Sequence, residues 1–182
     1  MPVTWDRLID QAAYAAILPF FEAKLSHAQS LIGKFKDPQH NFLVALKLLE
    51  TSTPKNPTFV MLMDLMKAFE KIEASWILTV LQTLETPEWF IQYTRWVLHE
   101  QRTATPRIRQ TLLKPLNLKR GIDMGRACSV LLFCCAIDPF LILMPDIKVK
   151  RAYMDDATLG DSDLAKIREI QELFETFHLC KL

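Results

Sequence analysis

Apolar residues recur along this chain in two periods. The first fifty residues follow helical spacing: Leu8, Ala12, Ala15, Ala16 and Phe20 mark one amphipathic segment, and Phe42, Ala45, Leu46 and Leu49 a second. Between them, Ser30 to Pro38 reads as a loop or short strand carrying Lys34 and Lys36. Thr51-Ser52-Thr53-Pro54-Lys55-Asn56-Pro57 is dense in turn formers and marks the internal boundary. Directly after it, Phe59 to Met63 is a continuous apolar run closed by Asp64, the pattern of a buried central strand, although a helix has the same signature over so short a run. Leu65 to Leu84 returns to helical spacing, with Ile77, Leu78, Leu81 and Leu84 on one side.

Thr86-Pro87-Glu88 predicts a helix start, with a threonine cap, proline at the first helical position and an acid in the first turn. Trp89, Phe90, Tyr93, Trp96 and Val97 follow; such a stripe can stack bases, but its spacing is that of a buried helix face. Gln101 to Lys119, interrupted by Pro106 and Pro115, predicts strands and loops. Ala127 to Met144 is nearly all apolar and close to membrane-spanning length, yet Asp138-Pro139 interrupts it. A central carboxylate is costly in lipid, so the run predicts a buried core helix that ends or bends at Pro139. Asp161-Ser162-Asp163 caps a last helix with Leu164, Ile167, Ile170, Leu173, Phe174 and Phe177 on one face.

Before that helix, the basic lead-in Ile147-Lys148-Val149-Lys150 enters Arg151-Ala152-Tyr153-Met154-Asp155-Asp156-Ala157-Thr158-Leu159-Gly160, which predicts a hairpin tipped by two aspartates. Side chains alternate across a strand, so the tandem carboxylates point to opposite faces, and a metal on one side would use mainly one of them. Taken alone, the pair is an ordinary solvated turn.

Composition changes this picture in three places. A net charge of +1 conceals clustering: Gln101 to Arg120 holds Arg102, Arg107, Arg109, Lys114, Lys119 and Arg120 and no acid. This indicates a local basic strip and not a globally basic nucleic-acid binder. The four cysteines lack paired zinc spacing, and Cys128, Cys134 and Cys135 lie in the apolar run, so they read as buried thiols of a reducing compartment. The start of the chain lacks the basic and apolar regions of a signal peptide, and the expected location is intracellular, cytoplasmic or nuclear. Glycine is scarce, with four in the chain, and two of them, Gly121 and Gly125, fall in one short loop where the backbone must bend sharply or approach something closely.

If the strand ending in Asp64 neighbours the Asp155-Asp156 hairpin, three hard oxygen donors converge at one sheet edge. Such donors suit Mg²⁺, which prefers carboxylates and substrate phosphates. Two ions ~3.5–4 Å apart would activate a hydroxyl and stabilise a leaving oxygen in phosphoryl transfer, while the basic strip could hold a phosphodiester backbone. His27, His40, His99 and His178 are scattered, and neither a P-loop nor a GxGxxG is present.

Three blocks in order then resemble the reverse transcriptase domain, of the non-LTR retrotransposon type: Phe59-Val60-Met61-Leu62-Met63-Asp64-Leu65-Met66-Lys67-Ala68-Phe69-Glu70; Arg120-Gly121-Ile122-Asp123-Met124-Gly125 through Ser129 and Leu131-Leu132-Phe133; and Tyr153-Met154-Asp155-Asp156. Gln29 to Lys34 is similar to the fingers segment. The resemblance implies an α+β fold: a polymerase palm with a small antiparallel sheet packed by helices (58–182), a partial helical fingers region (1–57), and no thumb before Leu182. It implies RNA-directed DNA synthesis, in which a primer hydroxyl attacks a nucleotide α-phosphate.

By the same resemblance, Asp64 and Asp155 bind two Mg²⁺ ions, with Mn²⁺ a substitute, Asp156 supports them, and the Leu65 carbonyl is a further ligand. Phe69 blocks a ribose 2′-hydroxyl, Gly125 approaches template or nucleotide, and Lys34 contacts the triphosphate. Arg107, Arg109, Lys119 and Arg120 meet nucleic acid. Partners would be an RNA template, a DNA primer, deoxynucleoside triphosphates and further domains of a longer polyprotein, with no membrane. The chain departs from the family pattern at Met124 (usually glutamine), Arg126 (usually small), Val130 (usually proline) and Glu70 (usually aspartate). These departures keep open a catalytically decayed fragment that binds nucleic acid or protein, and the apolar run keeps open a membrane-associated helical protein.

Overall fold

A three-stranded antiparallel sheet forms the platform of the protein, and its strand order shows how distant segments are brought together. The structure, a computed structural model, describes residues 5–32, 37–65, 67–100, 103–118 and 120–181. The elements run α1 (Trp5–Lys24), α2 (Pro38–Glu50), β1 (Phe59–Asp64), α3 (Ala68–Lys71), α4 (Ala74–Thr83), α5 (Glu88–Arg95), a π-helical turn (Trp96–Glu100), β2 (Thr103–Ala104), β3 (Arg107–Ile108), β4 (Thr111–Leu112), β5 (Leu116–Asn117), α6 (Ala127–Leu143), β6 (Val149–Tyr153), β7 (Asp156–Asp161) and α7 (Leu164–Lys181). The main sheet has the order β1-β7-β6, so the apolar run Phe59–Asp64 is an edge strand rather than the expected central one. Its residues alternate in exposure instead of being uniformly buried, because only one sheet face meets the core.

That core face carries Met61, Met63, Ala152, Ala157 and Leu159, and helices α6 and α7 pack behind it. The other face is covered at one end only. There Gly160 lies beneath α2, and a Cβ at that position would stand 2.5 Å from Leu48 Cδ2. The free edge of β6 is met by residues 28–30: Ser30 N–H donates to Ala152 O (2.7 Å) and Ala152 N–H to Ala28 O (2.8 Å). This segment joins the N-terminal helices to the sheet and leaves less edge for unwanted pairing.

Helix α6 is buried nearly all round. Of the two expectations at Pro139, an end or a bend, the helix does not end there but continues to Leu143, and Lys150 Nζ donates to Leu141 O and Met144 O at 3.2 and 3.3 Å, satisfying carbonyls at its C-terminus from β6. Among the described residues no helix is long and apolar enough to cross a membrane. Cys128, Cys134 and Cys135 are free and buried, as expected.

Two helices form where predicted but turn different faces inward. In α1 the buried residues are Asp10, Ala13, Ile17 and Phe21, whereas Leu8, Ala12, Ala15 and Ala16 are exposed. In α2, Asn41 and Ala45 are buried while Phe42, Leu46 and Leu49 face outward; Asp37 caps this helix by accepting from Gln39 N–H at 2.9 Å. The helical stretch after Asp64 divides into α3 and α4 at Ile72-Glu73. Thr86 does not cap α5: Pro87 occupies the cap position, and the Thr86 hydroxyl is buried without a partner. Of the aromatic stripe, Phe90 and Val97 are core, Tyr93 packs against the core and Trp89 is exposed. Asp163 caps α7 by accepting from Ala165 N–H at 2.9 Å.

Residues 103–117 make a nested ribbon, with β2 paired to β5 and β3 to β4. Ile108, Leu112 and Leu116 on it are exposed.

Candidate functional site: a carboxylate corner beside a docked glycine loop

The register of β1 against β7 sets Asp64 directly opposite Asp156, and that of β6 against β7 sets Tyr153 opposite Asp156 as well. Directly paired residues share a face, so Asp64, Asp156 and Tyr153 form one row at the uncovered end of the sheet's outer face. The next row inward is Leu62, Thr158 and Arg151. Both Asp64 and Asp156 are exposed. Asp155 occupies the turn between β6 and β7, and its carbonyl accepts from Leu65 N–H at 3.0 Å, which ties the turn to the end of β1. The structure therefore brings Asp64, Leu65, Asp155 and Asp156 to one corner.

The corner is built from unusual backbone. Met154, the first central residue of the two-residue turn, has φ +52°, a left-handed conformation that a side chain disfavours. Lys67, three residues beyond Asp64, has φ +59° at the start of α3. Such strain clusters at functional sites. The Leu65 carbonyl, an expected metal ligand, accepts from Ala68 N–H at 3.0 Å in this turn and keeps its second lone pair.

The charges in the corner repel. Partial desolvation and then the neighbouring Asp155 and Asp64 carboxylates raise the Asp156 pKa above its usual value, and no ion pair with a described residue offsets them. An anionic, oxygen-only set of this kind suits a hard divalent cation. Among the described residues no three His, Cys, Asp or Glu side chains are grouped closely enough to hold a metal ion by themselves.

The glycine loop docks against α3 and the residue after it, the segment that follows Asp64 and Leu65 in the chain. Gly121 N–H donates to Ile72 O (2.8 Å) and Ile122 N–H to Phe69 O (2.6 Å). Gly121 has φ +85°, and a Cβ there would lie 2.7 Å from Glu70 O, so both the conformation and the close approach require glycine. Gly125 has φ +94° with open space beside it. Met124 is 72 % exposed, and Arg126 Nε lies 3.6 Å from Asp123 Oδ2. The Phe69 ring stacks on Phe133 at 4.4 Å between centroids and 13° between planes, so the loop, α3 and α6 hold one another.

The expected cationic residues are not gathered here. Arg107 and Arg109 are exposed on the β3–β4 hairpin, where Arg107 Nε donates to Arg109 O at 3.2 Å. Arg120 lies at the glycine loop, 3.4 Å from Glu73. Lys34 and Lys119 lie outside the described residues.

Sequence reasoning missed Asp10, which is 3 % exposed and accepts from Tyr93 O–H and Ala127 N–H at the start of α6. The signal was present, because Asp10 continues the helical series Ala13, Ile17, Phe21 toward the N-terminus. It also missed the buried pair Gln29 and Asp138, each of which keeps one side-chain oxygen without a partner.

Comparison with known proteins agrees with this architecture. A protein of Xenopus laevis described as "Transposon TX1 uncharacterized 149 kDa protein" is 28% identical, over 63% of this chain and 10% of its own length. The solved telomerase from Candida albicans, in complex with the TWJ fragment of telomeric RNA, superposes with a TM-score of 0.55 at 10% identity, over 93% of this chain and 31% of that one. At that identity the likeness is one of fold. The chain thus spans about a tenth and about a third of these two proteins. A family model described as reverse transcriptase (RNA-dependent DNA polymerase) matches residues 3–179. With nearly its whole length matched, this chain belongs to the reverse transcriptase family.

Proposed function

We propose that the chain is a fingers–palm unit, with 1–57 the fingers-like part and 58–182 the palm, that extends a DNA primer on an RNA template by nucleotidyl transfer. The observation that carries this reading is the corner itself: Asp64 and Asp156 paired across two strands, with Asp155 in the strained turn whose carbonyl is bonded to Leu65. Two divalent ions bound there would lower the pKa of the primer 3′-hydroxyl and neutralise charge on the leaving pyrophosphate. Asp64 and Asp155 would hold them, Asp156 would add negative field, and the Leu65 carbonyl would offer its free lone pair.

Phe69 stacks on Phe133, and a ring held in this way would exclude a ribose 2′-hydroxyl from the nucleotide beside it. Gly125, open on its side-chain face, leaves room for a base or sugar to approach the backbone. Arg107 and Arg109 are free to meet phosphates, and Lys34, Lys119 and Arg120 complete the proposed contacts. The reading includes further domains of a longer protein.

Primer extension on an RNA template with deoxynucleoside triphosphates and Mg²⁺ tests the proposal. Extension is expected from the wild type and should be lost in Asp155→Asn; equal extension by both would refute the mechanism. A second reading is favoured by Met124, which stands exposed where the family usually has a hydrogen-bonding amide. On this reading the unit binds nucleic acid through the arginine hairpin, with steep salt dependence and no incorporation.

A further inference from the structure

Helix α6 begins without a cap of its own. Its N-cap residue, Arg126, makes no side-chain capping bond, and the first turn holds no acid, although the first four N–H groups of any helix lack internal partners. Two of them are met by Asp10, whose bond to Ala127 N–H spans 117 positions of the chain. One Asp10 oxygen accepts from Ala127 N–H and, at 3.4 Å, from Cys128 N–H; the other accepts from Tyr93 O–H. A buried carboxylate at a helix start also matches the positive end of the helix dipole. Burial and then Asp10 push the Cys128 thiol up to about 12, and burial together with Asp10 also raises the Tyr93 hydroxyl, so both neighbours stay protonated around Asp10.

What α6 carries at this end is the glycine loop. Ser129 Oγ in its first turn donates to Asp123 O at 2.5 Å, and the loop's other end is bonded to Ile72 and Phe69. The loop is therefore held at two points, of which only the α3 side is local to the proposed active corner.

We infer that Asp10 is a positioning residue: by capping α6 from α1 and α5 it fixes where the Gly121–Gly125 loop sits beside Phe69, and so sets affinity for the incoming nucleotide. The second half of this statement rests on the proposed polymerase reading; the first half does not.

Hydrogen–deuterium exchange on the full chain tests the first half. In Asp10→Asn, which puts an amide where an acceptor is needed, amides of 120–128 should exchange about tenfold faster, the effect of losing a helix cap, while β1, β6 and β7 keep wild-type rates. Tyr93→Phe should give a smaller change in the same segment and serves as the second variant if the first folds poorly. Acceleration spread evenly over the molecule, or none at 120–128, overturns the inference. Adding Arg126→Ser to Asp10→Asn supplies a neutral local cap, with Arg126→Ser alone measured as the baseline for the lost Arg126–Asp123 ion pair. It should restore 127–129 but not 120–125, and full recovery of the loop would show that the tether from α1 is dispensable. For the second half, primer extension by Asp10→Asn should show KM for deoxynucleotide raised about five- to tenfold with kcat within about twofold; an unchanged KM with a loosened loop overturns it. A wild type that does not extend primers refutes the polymerase reading and, with it, this half, while the exchange result stands on its own.

Discussion

Asp64 and Asp156 face each other across the β1–β7 pair, two like charges at directly opposed positions at the open end of a sheet. Direct opposition of like charges destabilises a sheet by up to ~1 kcal/mol, so the arrangement weakens the fold unless a cation offsets it. The Asp156 pKa is raised in the folded protein, so the folded state holds that proton more tightly than the unfolded chain does. Stability from this group is therefore present at low pH and lost as pH rises through the raised value. In metal-free buffer at neutral pH and low salt, Asp156→Asn should unfold later than wild type, by about 0.2–1 kcal/mol, and the difference should vanish on acidification. Equilibrium urea unfolding at several pH values measures it.

Divalent cation should offset that repulsion in the wild type. A ligand that binds only the folded state at ten times its Kd adds about 1.4 kcal/mol. Wild type should accordingly melt higher in Mg²⁺ or Mn²⁺ than in Na⁺ of equal ionic strength. Asp64→Asn and Asp155→Asn should lose most of that rise; an equal rise in all three proteins would show that the ions bind elsewhere.

The two loop glycines make a graded prediction. At Gly125 an added Cβ meets nothing, so Gly125→Ala carries only left-handed backbone strain, about 1–2 kcal/mol. At Gly121 the same strain is joined by a backbone oxygen 2.7 Å from the new carbon, so Gly121→Ala should be the more destabilising of the two, by roughly 1 kcal/mol or more. Chemical denaturation of both variants provides the comparison.

Asp138 is expected to give a second, separate pH dependence. Its Oδ1 accepts from Ser26 N–H at 3.0 Å, while its Oδ2 and Gln29 Oε1 are buried without partners. Burial raises its pKa, with Ser26 N–H and Gln29 opposing. The neutral acid is thus favoured in the fold, and its contribution is complete below the unfolded value and lost as pH rises through the folded one. Asp138→Asn replaces an ionisable oxygen with a donor. It should match wild type near about pH 4 and exceed it by about 1–3 kcal/mol at alkaline pH, the scale of a buried unsatisfied group; thermal melts across pH test this.

On the hairpin, Arg107→Ala and Arg109→Ala should leave the melting temperature unchanged, because both side chains are exposed. Each should weaken nucleic-acid binding uniformly across sequences and reduce the log–log salt slope by about 1, as read by anisotropy titrations at several salt concentrations.

The hairpin, the strand ending in Asp64 and the glycine loop were legible because each is written in local chemistry: a basic lead-in and Asp-Asp turn, an apolar run stopped by an acid, and scarce glycines placed together. The buried faces of α1 and α2 were not. Leu8 and Phe42 are more hydrophobic than Asp10 and Asn41, yet the polar residues are the buried ones. A carboxylate that caps a distant helix, and an amide that accepts from Ser30 Oγ at 2.7 Å, are compensated by partners that no local pattern reveals. The same reason hid the break between α3 and α4, where the chain bends so that Ile72 O and Phe69 O can receive the glycine loop.

Most helices, the Asp-Asp hairpin, the three acidic positions and the family blocks are thus readable from the chain alone, since propensity, periodicity and motif spacing are properties of neighbouring residues. That β1 lies at the sheet edge, that Asp64 pairs with Asp156 and that α6 is capped from α1 emerge from the folded arrangement. Each of these depends on hydrogen bonds between segments from about ninety to over a hundred residues apart, whose formation is set by packing of the whole core and not by any stretch of it.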